Sequence, residues 1–178
     1  MKRINNYMYR LIVFAVVAGL IVGCTAVGRK VDNSEFQRTK TGEEITTMLL
    51  ASKTLSVSIG RHPNEVYEFA SNPENMPKWA KGLGKTIRKQ GSDWIVDTPQ
   101  GPLKIRFAEI NKFGVLDHYV TTASGVEVYV PMRVLSNGDG SEVIFTLFRM
   151  PEMSDEKYAE DIKLVEQDLR SLKDQLEK

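Results

Sequence analysis

The chain has 178 residues, 42% of them hydrophobic and 26% charged, a composition that supports one packed core and excludes a low-complexity or disordered chain. Its 24 Lys and Arg stand against 23 Asp and Glu, so no broad field draws it to nucleic acid or to an acidic membrane surface. One cysteine and two histidines rule out an intramolecular disulfide and supply no zinc set at any familiar spacing, so neither a metal nor another cofactor is expected.

Lys2, Arg3 and Arg10 precede an uncharged apolar run, Leu11 to Val22, that ends in Gly23-Cys24. The run is shorter than the ~20 residues a spanning helix needs and has the charged and apolar regions of a signal peptide. Ile21-Val22-Gly23-Cys24 resembles the bacterial lipobox, which implies removal of residues 1–23 and lipidation of Cys24. Thr25 follows in place of the Asp that resembles an inner-membrane retention signal. The expectation is an exported, lipid-anchored protein of the cell envelope, compatible with the inner leaflet of an outer membrane. Residues 24–47 sustain no period of 2 or 3.6 and read as a flexible tether. The rival boundary is a start at Met48, which would leave a cytoplasmic domain.

The folded part, 48–178, opens on alternation: Leu55, Val57 and Ile59 share one parity and Thr54, Ser56 and Ser58 the other, as a half-buried strand requires. Pro63 suits the first turn of a helix carrying Val66, Phe69 and Ala70, which Asn72-Pro73 then breaks. A second short helix spans Glu74 to Trp79. Five strands follow, Lys85–Gln90, Asp93–Thr98, Pro102–Glu109, Val115–Thr122 and Val126–Leu135, joined by glycine-bearing turns. Asn137-Gly138-Asp139-Gly140 leads into a last strand, Glu142–Met150. Ser154 caps a long helix with Asp155 and Glu156 in its first turn. Its apolar stripe is Tyr158, Ile162, Val165, Leu169, Leu172 and Leu176, a face to be buried on the sheet.

This order is α+β. The segments Leu55 to Gly60, Pro63 to Phe69 and Asn72 to Trp79, continued by Phe148-Arg149 and Met153-Ser154-Asp155, resemble the SRPBCC superfamily, in particular its polyketide cyclase/dehydrase branch. The resemblance covers roughly residues 50 to 178. It implies a helix-grip fold: a seven-stranded curved antiparallel sheet wrapped around the C-terminal helix, with two short helices after strand one and an apolar cavity between sheet and helix. Because that superfamily includes lipid carriers, cyclases and other activities, the likeness implies a fold more firmly than a function.

No G-x-S-x-G, H-E-x-x-H or phosphate-binding glycine loop is present. The function expected is therefore a membrane-anchored, monomeric binding or carrier module for a small apolar ligand such as a lipid, isoprenoid or aromatic polyketide. The alternatives are a cyclase or dehydratase acting on such a ligand and an envelope protein-interaction domain. The ligand-binding candidates are Arg133 and Arg149, which end apolar strand faces and suit a ligand carboxylate, with Tyr129, Trp79, Phe107 and Phe145. The catalytic candidates are His118, Tyr119 and Glu109. Strand parity sets His118 with Leu116 and Val120, apart from Asp117 and Tyr119.

Overall fold

The structure is a computed structural model that describes residues 49–80, 83, 86–98, 101–151 and 153–178. Cys24, the signal peptide and the tether lie outside the described residues. The first strand, β1 (Ser52–Ile59), follows the expected alternation, with Leu55 and Ile59 buried. In α1 (Pro63–Ser71) the proline occupies the first turn, and the ring Nδ1 of His62 accepts the Asn64 N–H at the start. The Asn72 side chain then caps a 3-10 turn at Pro73–Asn75, and α2 (Met76–Trp79) follows.

Among the described residues, eight strands form two antiparallel sheets. One holds β2 (Ile87–Gln90), β3 (Asp93–Thr98), β4 (Gly101–Phe107), β5 (His118–Thr121) and β6 (Glu127–Val130) in sequence order. The other places β8 (Gly140–Phe148) between β1 and β7 (Met132–Asn137). This corrects the expected single seven-stranded sheet. The stretch expected as one strand from Val126 to Leu135 breaks at Pro131, which has no N–H to give to a ladder. Before the break the chain pairs with β5, after it with β8. The Pro131 carbonyl still accepts the Thr146 N–H, and Leu116 N–H donates to the Met132 carbonyl. The chain therefore passes from one sheet to the other without losing its backbone partners.

The long helix α3 (Asp155–Leu176) begins as expected, with the Ser154 side chain accepting the Lys157 N–H. Its 22 residues span about 33 Å. It packs mainly on β1 and also on α2. Both ends are tied down. Near the N-terminus, the Tyr158 hydroxyl donates to the Leu147 carbonyl at 3.2 Å. At the C-terminus, Glu177 accepts the Gly60 N–H at 2.6 Å, Arg61 Nε donates to the Leu176 carbonyl at 2.9 Å and Lys173 Nζ to the Ser58 carbonyl at 2.7 Å. The Gly60 bond also holds the Glu177 carboxyl below its ordinary pKa.

The segment between β4 and β5 is organised by Asn111. Its amide donates to the Glu109 and Val115 carbonyls, and its side-chain oxygen accepts the N–H groups of Phe113 and Val115. Phe113 is left exposed, whereas its bulk alone suggests a core residue. Gly114 has φ +68°, its carbonyl accepts the Val134 N–H, and a Cβ there would collide with the Val134 carbonyl oxygen. Gly91, in the β2–β3 turn, has a similar φ of +62° with nothing within 4 Å of an added Cβ. Gly91→Ala should cost about 1 kcal/mol from left-handed strain alone. Gly114→Ala should cost at least twice that, because backbone must also move. Urea unfolding of the two variants checks the difference, and equal losses would show that the loop yields freely around Gly114.

Candidate functional site

Alternation from Leu116, just before β5, through His118 and Val120 in it turns these three inward, and along β6 it turns Val128 and Val130 the same way. Phe145 and Leu147 of β8 complete that wall. Opposite stands one face of α3: Asp161, Leu164, Val165, Asp168 and Leu169, spaced three, one, three and one, as neighbours on one helical face must be. Met76, Trp79, Ala80 and Leu83, in and just after α2, close the space between them. The result is a cavity of about 80 Å³, with room for several waters or a small organic group. Its lining residues are apolar except for His118, Asp161 and Asp168, with Trp79 contributing an indole.

His118 is 5% exposed, and its Nδ1 lies 3.0 Å from the Leu116 carbonyl. A carbonyl only accepts, so Nδ1 carries the hydrogen and Nε2 is left as the acceptor. Burial pushes the His118 pKa down, outweighing the Leu116 bond and the Asp117 charge that favour the proton. The ring is a neutral imidazole packed on Phe107, centroid to centroid 5.4 Å.

Asp161 is 4% exposed. Its Oδ1 accepts from Lys157 Nζ at 2.7 Å, and its Oδ2 has no protein partner. The Trp79 Nε1–H, equally buried, also lacks one. Buried polar atoms without partners are uncommon because each forfeits its hydration. Among the described residues there are three such side-chain atoms, and two belong to residues lining this cavity.

Of the residues expected from sequence, Trp79, Phe145 and His118 meet at the cavity, with Phe107 one layer behind His118. The others lie elsewhere. Tyr129, Arg133 and Tyr119 fall on the outward parity: Tyr119 and Tyr129 stack at 5.1 Å in the open, with Arg106 over Tyr119. Arg133 and the Tyr129 hydroxyl both donate to Asp117, which also accepts the Met132 N–H at 2.9 Å. Partial burial alone would raise the Asp117 pKa, but these three bonds outweigh it and hold the carboxyl below its ordinary value. Asp117 thus fastens the sheet-to-sheet crossing, and Arg133 is its partner rather than a ligand's. Arg149 donates to the Met153 carbonyl and pairs with Asp155 at the start of α3. Glu109 is exposed in the connector after β4.

Sequence reasoning passed over Asp161 and Asp168. They are seven residues apart on the flank of the apolar stripe, and two acids at that spacing among Leu164, Val165, Leu169 and Leu172 were the available signal. No group of three or more His, Cys, Asp or Glu able to hold a metal occurs among the described residues.

No protein-family model matches the sequence, and no curated protein matches it significantly. Solved structures do. The protein XoxI from Bacillus cereus is 17% identical, with 71% of this chain and 96% of that chain covered and a TM-score of 0.59. A START superfamily protein from Mycobacterium smegmatis is 10% identical over 71% and 97%, with a TM-score of 0.54. The Aha1 dimer from Colwellia psychrerythraea is 17% identical over 72% and 97%, with a TM-score of 0.57. At these identities the likeness shows the fold, an antiparallel helix-grip arrangement closed by a C-terminal helix.

A neutral buried His118 makes stability depend on pH. The unfolded chain takes up a proton near pH 6.5, whereas the native ring resists it. Stability is therefore full above that pH and falls as the pH drops below it, because the unfolded state then binds more protons. Melting temperatures between about pH 7.5 and 5 should show this slope, and His118→Gln should flatten it. An unchanged slope would mean the native ring protonates freely.

Proposed function

We propose that the chain binds a small, largely apolar molecule in the cavity between α3 and strands β5, β6 and β8. The observation that carries the reading is the cavity itself: space left among Val120, Val128, Val130, Phe145, Val165 and Leu169, which would otherwise close on one another. Interiors normally pack without such gaps, since unfilled space forfeits dispersion contacts on both walls. Ligand sites share this character, with apolar walls and a few placed polar groups. The polyketide-cyclase resemblance and the START-type fold support the same reading.

Trp79 gives the test, because it lines the cavity while the chain's other tryptophan, Trp94, sits on β3 away from it. In a Trp94→Phe background, a short-chain lipid, isoprenoid or aromatic compound that enters the cavity should change Trp79 emission saturably. At about a hundredfold excess over Kd it should add about 2.7 kcal/mol of stability, several degrees in Tm. If no apolar compound of any class does either, the binding reading fails.

A second reading is favoured by one observation, the neutral His118 on the wall with Nδ1 committed to the backbone and Nε2 as its acceptor. Such a ring presents Nε2 to an acidic proton of a bound ligand, and proton transfer is the step a cyclase or dehydratase requires. Conversion of a bound compound that disappears in His118→Gln, while binding persists, would establish it.

We further propose that the binding domain is held at a membrane by lipid on Cys24, after removal of residues 1–23. The support is the order of Lys2, Arg3 and Arg10, the apolar run and Gly23-Cys24. No helix among the described residues is long and apolar enough to cross a membrane. Mass spectrometry of the protein from its native host should find a mature chain beginning at acylated Cys24, and an intact Met1 with a free Cys24 thiol would overturn the proposal.

A further inference from the structure

Resting on the binding reading, we infer that the ligand is a neutral, hydroxyl-bearing apolar molecule, an alcohol or phenol, and that Asp161 and Trp79 hold its hydroxyl. The two unpartnered atoms have opposite needs: Asp161 Oδ2 accepts and Trp79 Nε1–H donates. A hydroxyl is the smallest single group that does both, giving its hydrogen to the carboxylate and taking the indole N–H on its oxygen. The two residues reach the cavity from α2 and α3, which pack directly on each other.

Charge decides against the acid that the arginines had suggested. Among the described residues no lysine or arginine lines the cavity, Arg133 and Arg149 are engaged elsewhere, and Asp161 brings a carboxyl group to the wall. A ligand carboxylate only accepts hydrogen bonds and so has no hydrogen to give Asp161 Oδ2. A cationic ligand is not required either, because Lys157 already pairs with Asp161. What Asp161 Oδ2 lacks is a hydrogen-bond donor, not a countercharge. His118 adds an acceptor with no charge, so the polar part of the wall suits a neutral donor throughout.

The experiment compares three probes of equal chain length on the full-length protein: 1-octanol, octanoate and octyl methyl ether. The ether can accept from Trp79 but has no hydrogen for Asp161, so it isolates that bond. Octanol should bind on the order of tenfold more tightly than the ether, as expected for one buried hydrogen bond to a charged acceptor, and more tightly still than octanoate. Asp161→Asn, close to isosteric, should shrink the octanol preference over the ether and raise the relative affinity of octanoate, since its amide can donate. Trp79→Phe should weaken octanol and ether alike while leaving their ratio in place. If all three probes bind wild type equally, or octanoate binds best, the two atoms are served by ordered water only and this inference is overturned while the binding reading stands. If no probe binds and no other apolar compound does, the binding reading itself has failed. Should either variant fail to fold, the wild-type comparison alone decides.

Discussion

Everything at the cavity depends on α3 being fastened at its two ends. At the C-terminal end, Gly60, Arg61 and Ser58 reach the helix through Glu177, the Leu176 carbonyl and Lys173. Toward the N-terminal end, Tyr158 reaches β8, and Arg149 and the Ser154 cap fix the approach. A helix free to slide or tilt would settle into the gap, because closing it gains contacts on both walls. With its ends held by side-chain-to-backbone hydrogen bonds at separated points, a stiff element about 33 Å long cannot follow the sheet at every residue. The gap opens where Asp161 to Leu169 face β5, β6 and β8.

Proline 131 supplies the complementary constraint on the other wall. By breaking the strand it lets the five-stranded sheet leave the three-stranded one, and the change of direction leaves backbone and side-chain groups to be paired. Asp117 takes three of them, from Met132, Tyr129 and Arg133. The same residue type then plays opposite parts in one domain. Asp117, with three donors, is fully satisfied and holds the frame together. Asp161, nearly excluded from water and with one donor on one oxygen, keeps an unmet demand on the cavity wall. An uncompensated acceptor of this kind is a cost to folding that a bound donor relieves.

The exposed face of the five-stranded sheet explains why Tyr119 and Tyr129 looked like site residues. Tyr119, Tyr129, Arg106 and Glu127 form a cross-strand array of ring stacking and charge pairing in the open. Such arrays stabilise antiparallel sheets modestly and need no ligand. Their chemistry on paper is richer than that of the cavity, yet they lie on the wrong side of the strands.

Local rules in the sequence were sufficient for the elements themselves. Alternation in Leu55-Val57-Ile59, proline at the head of α1 and the Ser154 cap each act within a few residues of chain, so β1, α1 and α3 stand where the pattern set them. Parity also determined that His118 faces inward with Val120. It contained the outward placement of Arg133 too, since Val128, Val130, Met132 and Val134 share the opposite phase. What tertiary structure alone decided was which polar groups meet. Asp161 and Trp79 are 82 residues apart in the chain and share a cavity only because α2 packs on α3. An aspartate flanking a helical stripe reads as solvated until the opposing wall is known. The division of the sheet at Pro131 was likewise decided by register, because a proline shows where a ladder can stop but not which strand each half will pair with afterwards.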